Sequence, residues 1–200
     1  MAFILCQQAI VGIELKHDIS DKVRVVEIAR DDPSLPKLNS NYLTSSHYDL
    51  SIVHEPEAWK MALTLKPLDE PLEKSYTGTF FEEHVEEPRV FAAVLDGIQV
   101  GWIELGYEKW NNRMRVWEFL VEEGFRRMGI GSLLMGFAVN VAREKSARML
   151  VLETQSCNVP AIAFYLKQGF TLIGFDSAAY SNEDIKKKEV RLELGLMLHS

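Results

Sequence analysis

The run Arg126-Arg127-Met128-Gly129-Ile130-Gly131, followed by Ser132, carries the sharpest chemical signal in the chain. Gly129 and Gly131 have no Cβ, so main-chain amides there can approach a ligand closely. The two glycines open a segment with helical periodicity. The first N–H groups of a helix lack partners, and its dipole favours an anion. Arg126 and Arg127 add positive charge beside that anion. The chemistry this suits is the cradling of a pyrophosphate.

Several phosphate ligands fit such a loop in principle. A nucleotide P-loop needs a Lys-Ser or Lys-Thr pair after its glycines, and none stands here. A dinucleotide fingerprint needs a third glycine and a tight turn directly after a strand. Leu134 occupies the third glycine position, and the glycines come eight residues after Val121. Glu153, at the end of the next strand, would be the matching ribose-binding acid. The plain structural alternative is a glycine-rich loop that only caps a helix.

The elements around the loop must place it. Ile130, Leu133, Leu134, Phe137, Ala138, Val141 and Ala142 recur at steps of three and one. That pattern predicts a helix over 130–145 with one apolar stripe against a sheet. Asp96-Gly97 between Arg89–Leu95 and Ile98–Leu105 predicts a tight hairpin. Asn111-Asn112 turns the chain into a third strand, Arg113–Val121. The near-continuous apolar run Arg148–Glu153 reads as a central parallel strand. Asn158 as N-cap, Pro160 in the first turn and Gly169 just past the end delimit a helix over 158–168. Phe170–Phe175 and Glu189–Leu198 read as closing strands. The sum is an α+β chain, a mixed and mostly antiparallel sheet with flanking helices.

Residues 1–88 are less regular and hold most of the seven prolines. Val23–Ala29 reads as a strand, Asp31–Ser46 as a loop, and Tyr48–His54 with Ala58–Leu65 as two strands joined at Glu55-Pro56. Glu70–Tyr76 reads as a short helix and the acidic, aromatic Phe80–Glu87 as a helix or lid. The whole chain is expected to form one domain over 1–200, with a variable part over 1–88 and the ligand-binding core over 89–200.

The chain has 200 residues, 47% of them hydrophobic, and a formal net charge of -7. Wholesale nucleic-acid binding is disfavoured, because phosphate backbones reward Lys and Arg. Cys6 and Cys157 form no metal-ligand spacing, so no metal is expected and two free thiols in a reducing cytoplasm are. The apolar start, Phe3-Ile4-Leu5, has no basic segment before it and is too short to span a bilayer. It reads as a strand or ordered tail, with no membrane association and a cytoplasmic location.

Arg126-x-x-Gly129-x-Gly131 resembles the acetyl-CoA loop of the GNAT N-acetyltransferase superfamily. Asn158-x-x-Ala161-x-x-x-Tyr165-x-x-x-Gly169-Phe170 resembles the same family's penultimate helix and the strand after it. The resemblance covers roughly Arg89 to Leu198. It implies the GNAT fold, whose central parallel strands splay apart, here Arg113–Val121 and Arg148–Glu153. It also implies acetyl-CoA as acetyl donor. The pantetheine arm would pair with the backbone of Leu120 and Val121, and the pyrophosphate would sit on the amides of Arg126 to Ser132. Asn158 would bond the cofactor near that arm, whether or not it also caps its helix. Tyr165 matches the family's general acid, which gives the leaving thiolate a proton. Glu118 matches an acid directed to the substrate cleft, the candidate general base. Glu104 is a second candidate.

Trp110-Asn111, Leu152-Glu153-Thr154-Gln155 and Tyr180-Ser181-Asn182 resemble one branch, the streptothricin acetyltransferases, which acetylate an amine on an antibiotic bearing β-lysine. This implies a small cationic amine as acceptor, with Glu104, Trp110, Glu118 and Tyr180 as candidate substrate contacts and Glu82, Glu83, Glu86 and Glu87 as acidic wall. By family analogy the chain forms a homodimer. The competing readings are a non-catalytic acyl-CoA-binding regulatory module, a protein or peptide N-acetyltransferase, and a dinucleotide-dependent oxidoreductase.

Overall fold

A computed structural model describes residues 22–198. The Phe3-Ile4-Leu5 stretch and Cys6 lie outside the described residues. Two sheets form. The larger has seven strands in the order β1-β4-β5-β6-β7-β9-β8, and the smaller pairs β2 with β3. Their bounds are β1 Arg24–Ile28, β2 Leu38–Glu55, β3 Ala58–Gly78, β4 Arg89–Leu95, β5 Ile98–Glu108, β6 Arg113–Val121, β7 Met149–Gln155, β8 Thr171–Asp176 and β9 Arg191–Met197. Helix α1 spans Ile130–Glu144, α2 Val159–Lys167 and α3 Asp184–Lys187.

The local signals explain most of the larger sheet. Asp96 and Gly97 both take positive φ, 49° and 83°, the backbone of the two-residue turn that joins β4 to β5. The stripe on α1 is buried: Ile130, Leu134, Met135, Ala138, Val141 and Ala142 pack onto Ile103, Leu105, Val116, Leu150 and Leu152 of the sheet. Burying a side chain such as Leu134 is worth about 1.5–3 kcal/mol, so this face alone fixes the helix on the sheet. At α2, Asn158 Oδ1 accepts from Ala161 N at 3.3 Å. Gly169 ends the helix at φ 92°, and Phe170 N donates back to Tyr165 O at 3.1 Å. Such a left-handed cap turns the chain directly into β8.

The first third of the chain departs from its sequence pattern. Residues 38–46, expected as loop, are the first half of β2, and Glu70–Tyr76, expected as helix, is the end of β3. The two strands form one long antiparallel hairpin. Its register jumps where Thr44 faces Leu72 but Ser46 faces Pro67, so residues 68–71 bulge out between the two prolines. Pro67 and Pro71 are tolerated because a two-stranded ribbon has an unpaired edge on each strand and proline donates no ladder bond. Phe80–Glu87, expected as a helix or lid, is a series of turns and bends held by Val85 N to Glu82 O. The expected strand Val23–Ala29 forms as β1, at the edge beside β4. The middle of the hairpin packs through Tyr48, Leu50 and Leu63 on Ile162, Val190 and Leu192. Its tip, residues 51–62, is exposed throughout except for the half-buried Glu55.

No described helix is long and apolar enough to cross a membrane.

Candidate active site

The site is organised by the way β6 leaves β7. The two strands pair in parallel only from Arg113 opposite Met149 to Val116 opposite Leu152. Beyond that point β7 stays paired with β9 as far as Gln155, while β6 stays paired with β5 as far as Val121. A bulge starts the divergence. Glu104 faces Glu118 and Leu105 faces Val116, so Trp117 is the additional residue in β6. A bulge bends its strand and increases its twist. The edge of β6 from Trp117 through Leu120 and Val121 therefore borders an open wedge.

The glycine-bearing loop lies at the wide end of that wedge. After Val121 the chain makes one 3-10 turn, Glu123–Phe125, and reaches Arg126, whose Nε donates to Val121 O at 3.0 Å. Arg127 and Gly129 take positive φ, 64° and 85°, on either side of Met128. Such alternation curves the chain so that successive N–H groups converge, the geometry of an anion-binding nest. Gly129 is the N-cap of α1 and carries no side-chain cap bond. Leu133 is the first amide of this stretch paired to the chain behind it, to Gly129 O at 3.0 Å. Among the described residues, the amides of Arg127, Met128, Gly129, Ile130, Gly131 and Ser132 donate to no protein acceptor. Unpaired amides at a helix start beside an open strand edge fit a diphosphate with an extended amide-bearing arm.

Tyr165 and Glu118 both meet the wedge. Tyr165 is buried against Phe119, Phe164 and Phe170, with ring centroids 6.4, 5.5 and 6.0 Å away. Burial, and then the charge of Glu118, raises its phenol above the usual range. The hydroxyl is thus neutral and able to donate. Glu118 points to the other side of β6 from Phe119, whose ring stacks on Phe164 at 5.6 Å. There it lines a cleft together with Tyr76, Glu82, Glu104, Arg115 and Glu153.

The cleft is acidic at its floor. Glu104 is 1% exposed and accepts from Phe81 N at 2.7 Å. Burial pushes its carboxyl up to about 7; the Phe81 bond opposes this and the charge of Glu82 adds to it. Glu118 is likewise pushed up to about 7, first by burial and then by Glu104, Glu82 and Glu153, against a bond from the Tyr76 hydroxyl. Glu153 pairs with Arg191 at 2.8 Å. Arg115 forms the base of the cleft, held by Glu108 at 2.5 Å and Glu193 at 2.6 Å.

The remaining sequence candidates are placed as follows. Leu120 buries its side chain beside Val90, Ala92 and Trp102 and turns its backbone toward Trp102 of β5, as the bond from Glu122 N to Val100 O in the same ladder requires, so it is Val121 whose backbone borders the wedge. Gly131 lies in the first turn of α1, where an added Cβ would meet Phe164 at 3.4 Å and Phe119 at 3.5 Å. Asn158 caps α2 with its Oδ1 and keeps its amide N–H groups for another partner. Tyr180 is half-exposed in the turn before α3, beside Glu153, with its backbone N held by Asp184. Trp110 is 80% exposed in the β5–β6 turn, over Arg113, and is not brought to the cleft. Of the acidic run, Glu82 lines the cleft, whereas Glu87 pairs with Lys109 and Lys145. Sequence reasoning missed Tyr76 and Arg115: the first lay in a segment with helical composition, the second in a strand read only for its apolar positions. Among the described residues no group of His, Cys, Asp and Glu is arranged to hold a metal ion.

Known proteins resemble this chain in sequence and in fold. The profile of the acetyltransferase (GNAT) family matches residues 55–170. A streptothricin acetyltransferase of Streptomyces lavendulae is 34% identical over 158 residues, covering 75% of this chain and 82% of that protein. The crystal structure of a nourseothricin acetyltransferase superposes with a TM-score of 0.70 at 29% identity, covering 89% of this chain and 99% of that one. A Bacillus anthracis protein assigned as a streptothricin acetyltransferase, solved with acetyl coenzyme A, superposes with a TM-score of 0.73 at 25% identity, covering 88% and 99%.

Proposed function

The chain belongs to the GNAT acetyltransferase family, an acetyl-CoA-dependent N-acetyltransferase by that membership, and from this premise we propose that its acceptor is a primary amine on a small polycationic molecule of the streptothricin class. The observation that carries the reading is the acidic cleft against the β6–β7 wedge: Glu82, Glu104, Glu118 and Glu153 together favour a substrate with several ammonium groups. The names of the relatives point to the same acceptor.

The residues divide the work as follows. The amides of Arg127, Met128, Gly129, Ile130, Gly131 and Ser132 hold the donor's diphosphate, the Arg126 amide being bonded to Glu123 O, with the backbone of Val121 and the side chain of Asn158 along its arm. The donor supplies a thioester, already activated toward amines, so placing the amine beside it provides much of the rate. Glu118 takes the proton that an ammonium must lose before it can attack. A carboxyl near 7 serves this role in the neutral range. Glu104, held by Phe81 N and more deeply buried, stands behind it and is pushed toward its protonated form by that burial. Tyr165, kept protonated by its surroundings, gives a proton to the departing sulfur. We also place the protein in the cytoplasm as a homodimer, readings that rest on its two thiols and on family analogy.

The test is acetyl-CoA-dependent thiol release against a panel: streptothricins, aminoglycosides, polyamines and peptides with free N-termini. Turnover confined to streptothricins supports the reading. Preference for peptides would make the chain a protein N-acetyltransferase. Stabilisation by acetyl-CoA without turnover on any amine would make it a sensor.

A further inference from the structure

Tyr76 reaches the cleft from outside the seven-stranded sheet. It lies near the end of β3, paired with Ser40 of β2, and its hydroxyl donates to Glu118 Oε1 at 2.5 Å. The ring takes an unusual path, back across its own strand over Gly78. A Cβ at residue 78 would lie 2.5 Å from the phenol oxygen and 2.9 Å from the ring carbon that bears it. Contacts that short do not occur, so any side chain at 78 would push the hydroxyl away. Gly78 does not have positive φ. What the position requires is the empty space above its Cα, which the Tyr76 phenol fills on its way to Glu118.

We propose that Tyr76, passing over Gly78, is a positioning residue for acetyl transfer, tying one oxygen of Glu118 so that the other is presented to the incoming amine. The inference rests on Glu118 acting as the base. A flexible carboxylate loses effectiveness because its lone pairs sample many directions. Tyr76 occupies Oε1 and leaves Oε2 for the ammonium proton. It also sets the charge state. The titratable and charged groups around Glu118 are Tyr76 from β3, Glu82 and His84 from the segment before β4, Glu104 from β5, Arg115 from its own strand and already tied to Glu108 and Glu193, Glu153 from β7 and Tyr165 from α2. The three carboxylates favour its protonated form. The bond from Tyr76 is the contribution that opposes them. Burial and the charge of Glu118 raise the Tyr76 phenol, so it remains a donor wherever the enzyme works.

The experiment is a carboxyl titration of the free, full-length protein by carbon-13 NMR with labelled glutamate, the Glu118 signal being assigned by its loss in Glu118→Gln. Tyr76→Phe is expected to raise the Glu118 midpoint by about one pH unit, the size of one lost hydrogen bond to a charged group. Gly78→Ala is expected to do the same although its phenol is intact. The double variant should go no further than Tyr76→Phe alone. In turnover with the amine, the acid limb of kcat/KM should move up with the titration. Activity in Tyr76→Phe should then be about twentyfold down at pH 6, about tenfold from the moved midpoint and about twofold from the lost orientation, with the deficit narrowing to about twofold by pH 9. A lower melting temperature with an unmoved titration would reduce Tyr76 to a packing contact and overturn the proposal. A moved titration in a protein that acetylates no amine would instead remove the transferase role and leave only the Tyr76–Glu118 tie.

Discussion

Glu104 and Glu118 stand opposite each other across β5 and β6, two carboxylates in register on the cleft side of the sheet. Both are pushed to about 7, by burial first; the charge of Glu82 adds to it at Glu104, and the charges of Glu104, Glu82 and Glu153 add to it at Glu118. The pair therefore carries about one proton in the neutral range, and its two titrations belong to the pair rather than to either residue. Because the base must be deprotonated, kcat/KM is expected to fall about tenfold per pH unit below about pH 7. Glu118→Gln should lower activity at least tenfold at pH 8 and abolish that limb. A profile of unchanged shape in this variant would move the base elsewhere.

Tyr165, proposed as the acid, packs against Phe119 of β6. Tyr165→Phe keeps the packing against Phe119, Phe164 and Phe170 and removes only the proton. Turnover is expected to fall at least about tenfold while acetyl-CoA affinity, read by calorimetry, stays within about twofold. A parallel loss of affinity would mean that the hydroxyl holds the donor instead of protonating the thiolate.

The buried acid Glu104 should also mark the stability curve. Its folded-state pKa lies above the value of an unfolded glutamate, so the native state binds more protons between about pH 4.5 and 7. Stability tied to this residue is present below that window and is lost as the pH rises through it. Glu104→Gln keeps an oxygen for Phe81 N and removes the charge. It is expected to raise the melting temperature by about 2–4 °C at pH 8 and by less than about 1 °C at pH 5. Equal gains at both pH values would show that charge is not the cause.

Gly129→Ala tests the anion nest. At φ 85° an alanine costs about 1–2 kcal/mol, and the chain relieves this by rotating the amides that converge around Met128. KM for acetyl-CoA is expected to rise at least about tenfold, with a smaller fall in kcat. Steady-state kinetics at saturating amine separates the two. An unaltered KM would place the diphosphate away from this loop.

The legible parts of the sequence are those whose signals are local. Asp96-Gly97 demands positive φ at two residues and received it. The stripe on α1 and the caps of α2, Asn158 and Gly169, lie within a few residues of what they control. The outer half of the long hairpin was legible, as the strands Tyr48–His54 and Ala58–Leu65 joined at Glu55-Pro56, whereas its inner half, residues 38–46 and 70–78, was not, because its apolar positions do not alternate regularly. Leu72-Glu73-Lys74 has helical composition, and only its partner strand, thirty residues earlier, makes it β. Tyr76 was hidden with it. Its partner is 42 residues away, and the space it uses is a missing side chain two residues on. The wedge was expected from the family resemblance. The bulge that opens it at Trp117 leaves no composition signal, because it follows from register with β5.

The hairpin has a consequence for how this protein can change. The glycine-bearing loop and the wedge belong to the seven-stranded sheet and its two longer helices, whereas Tyr76, on one wall of the acidic cleft, comes from a separate ribbon whose tip, residues 51–62, is largely exposed. The family profile begins only at residue 55 and leaves nearly all of β2 outside it. A change of acceptor can thus redraw the ribbon while the glycine-bearing loop stays intact, and a laboratory wishing to redirect the enzyme has the same handle: exchange the ribbon, keep Tyr76 and Gly78, and leave the rest alone.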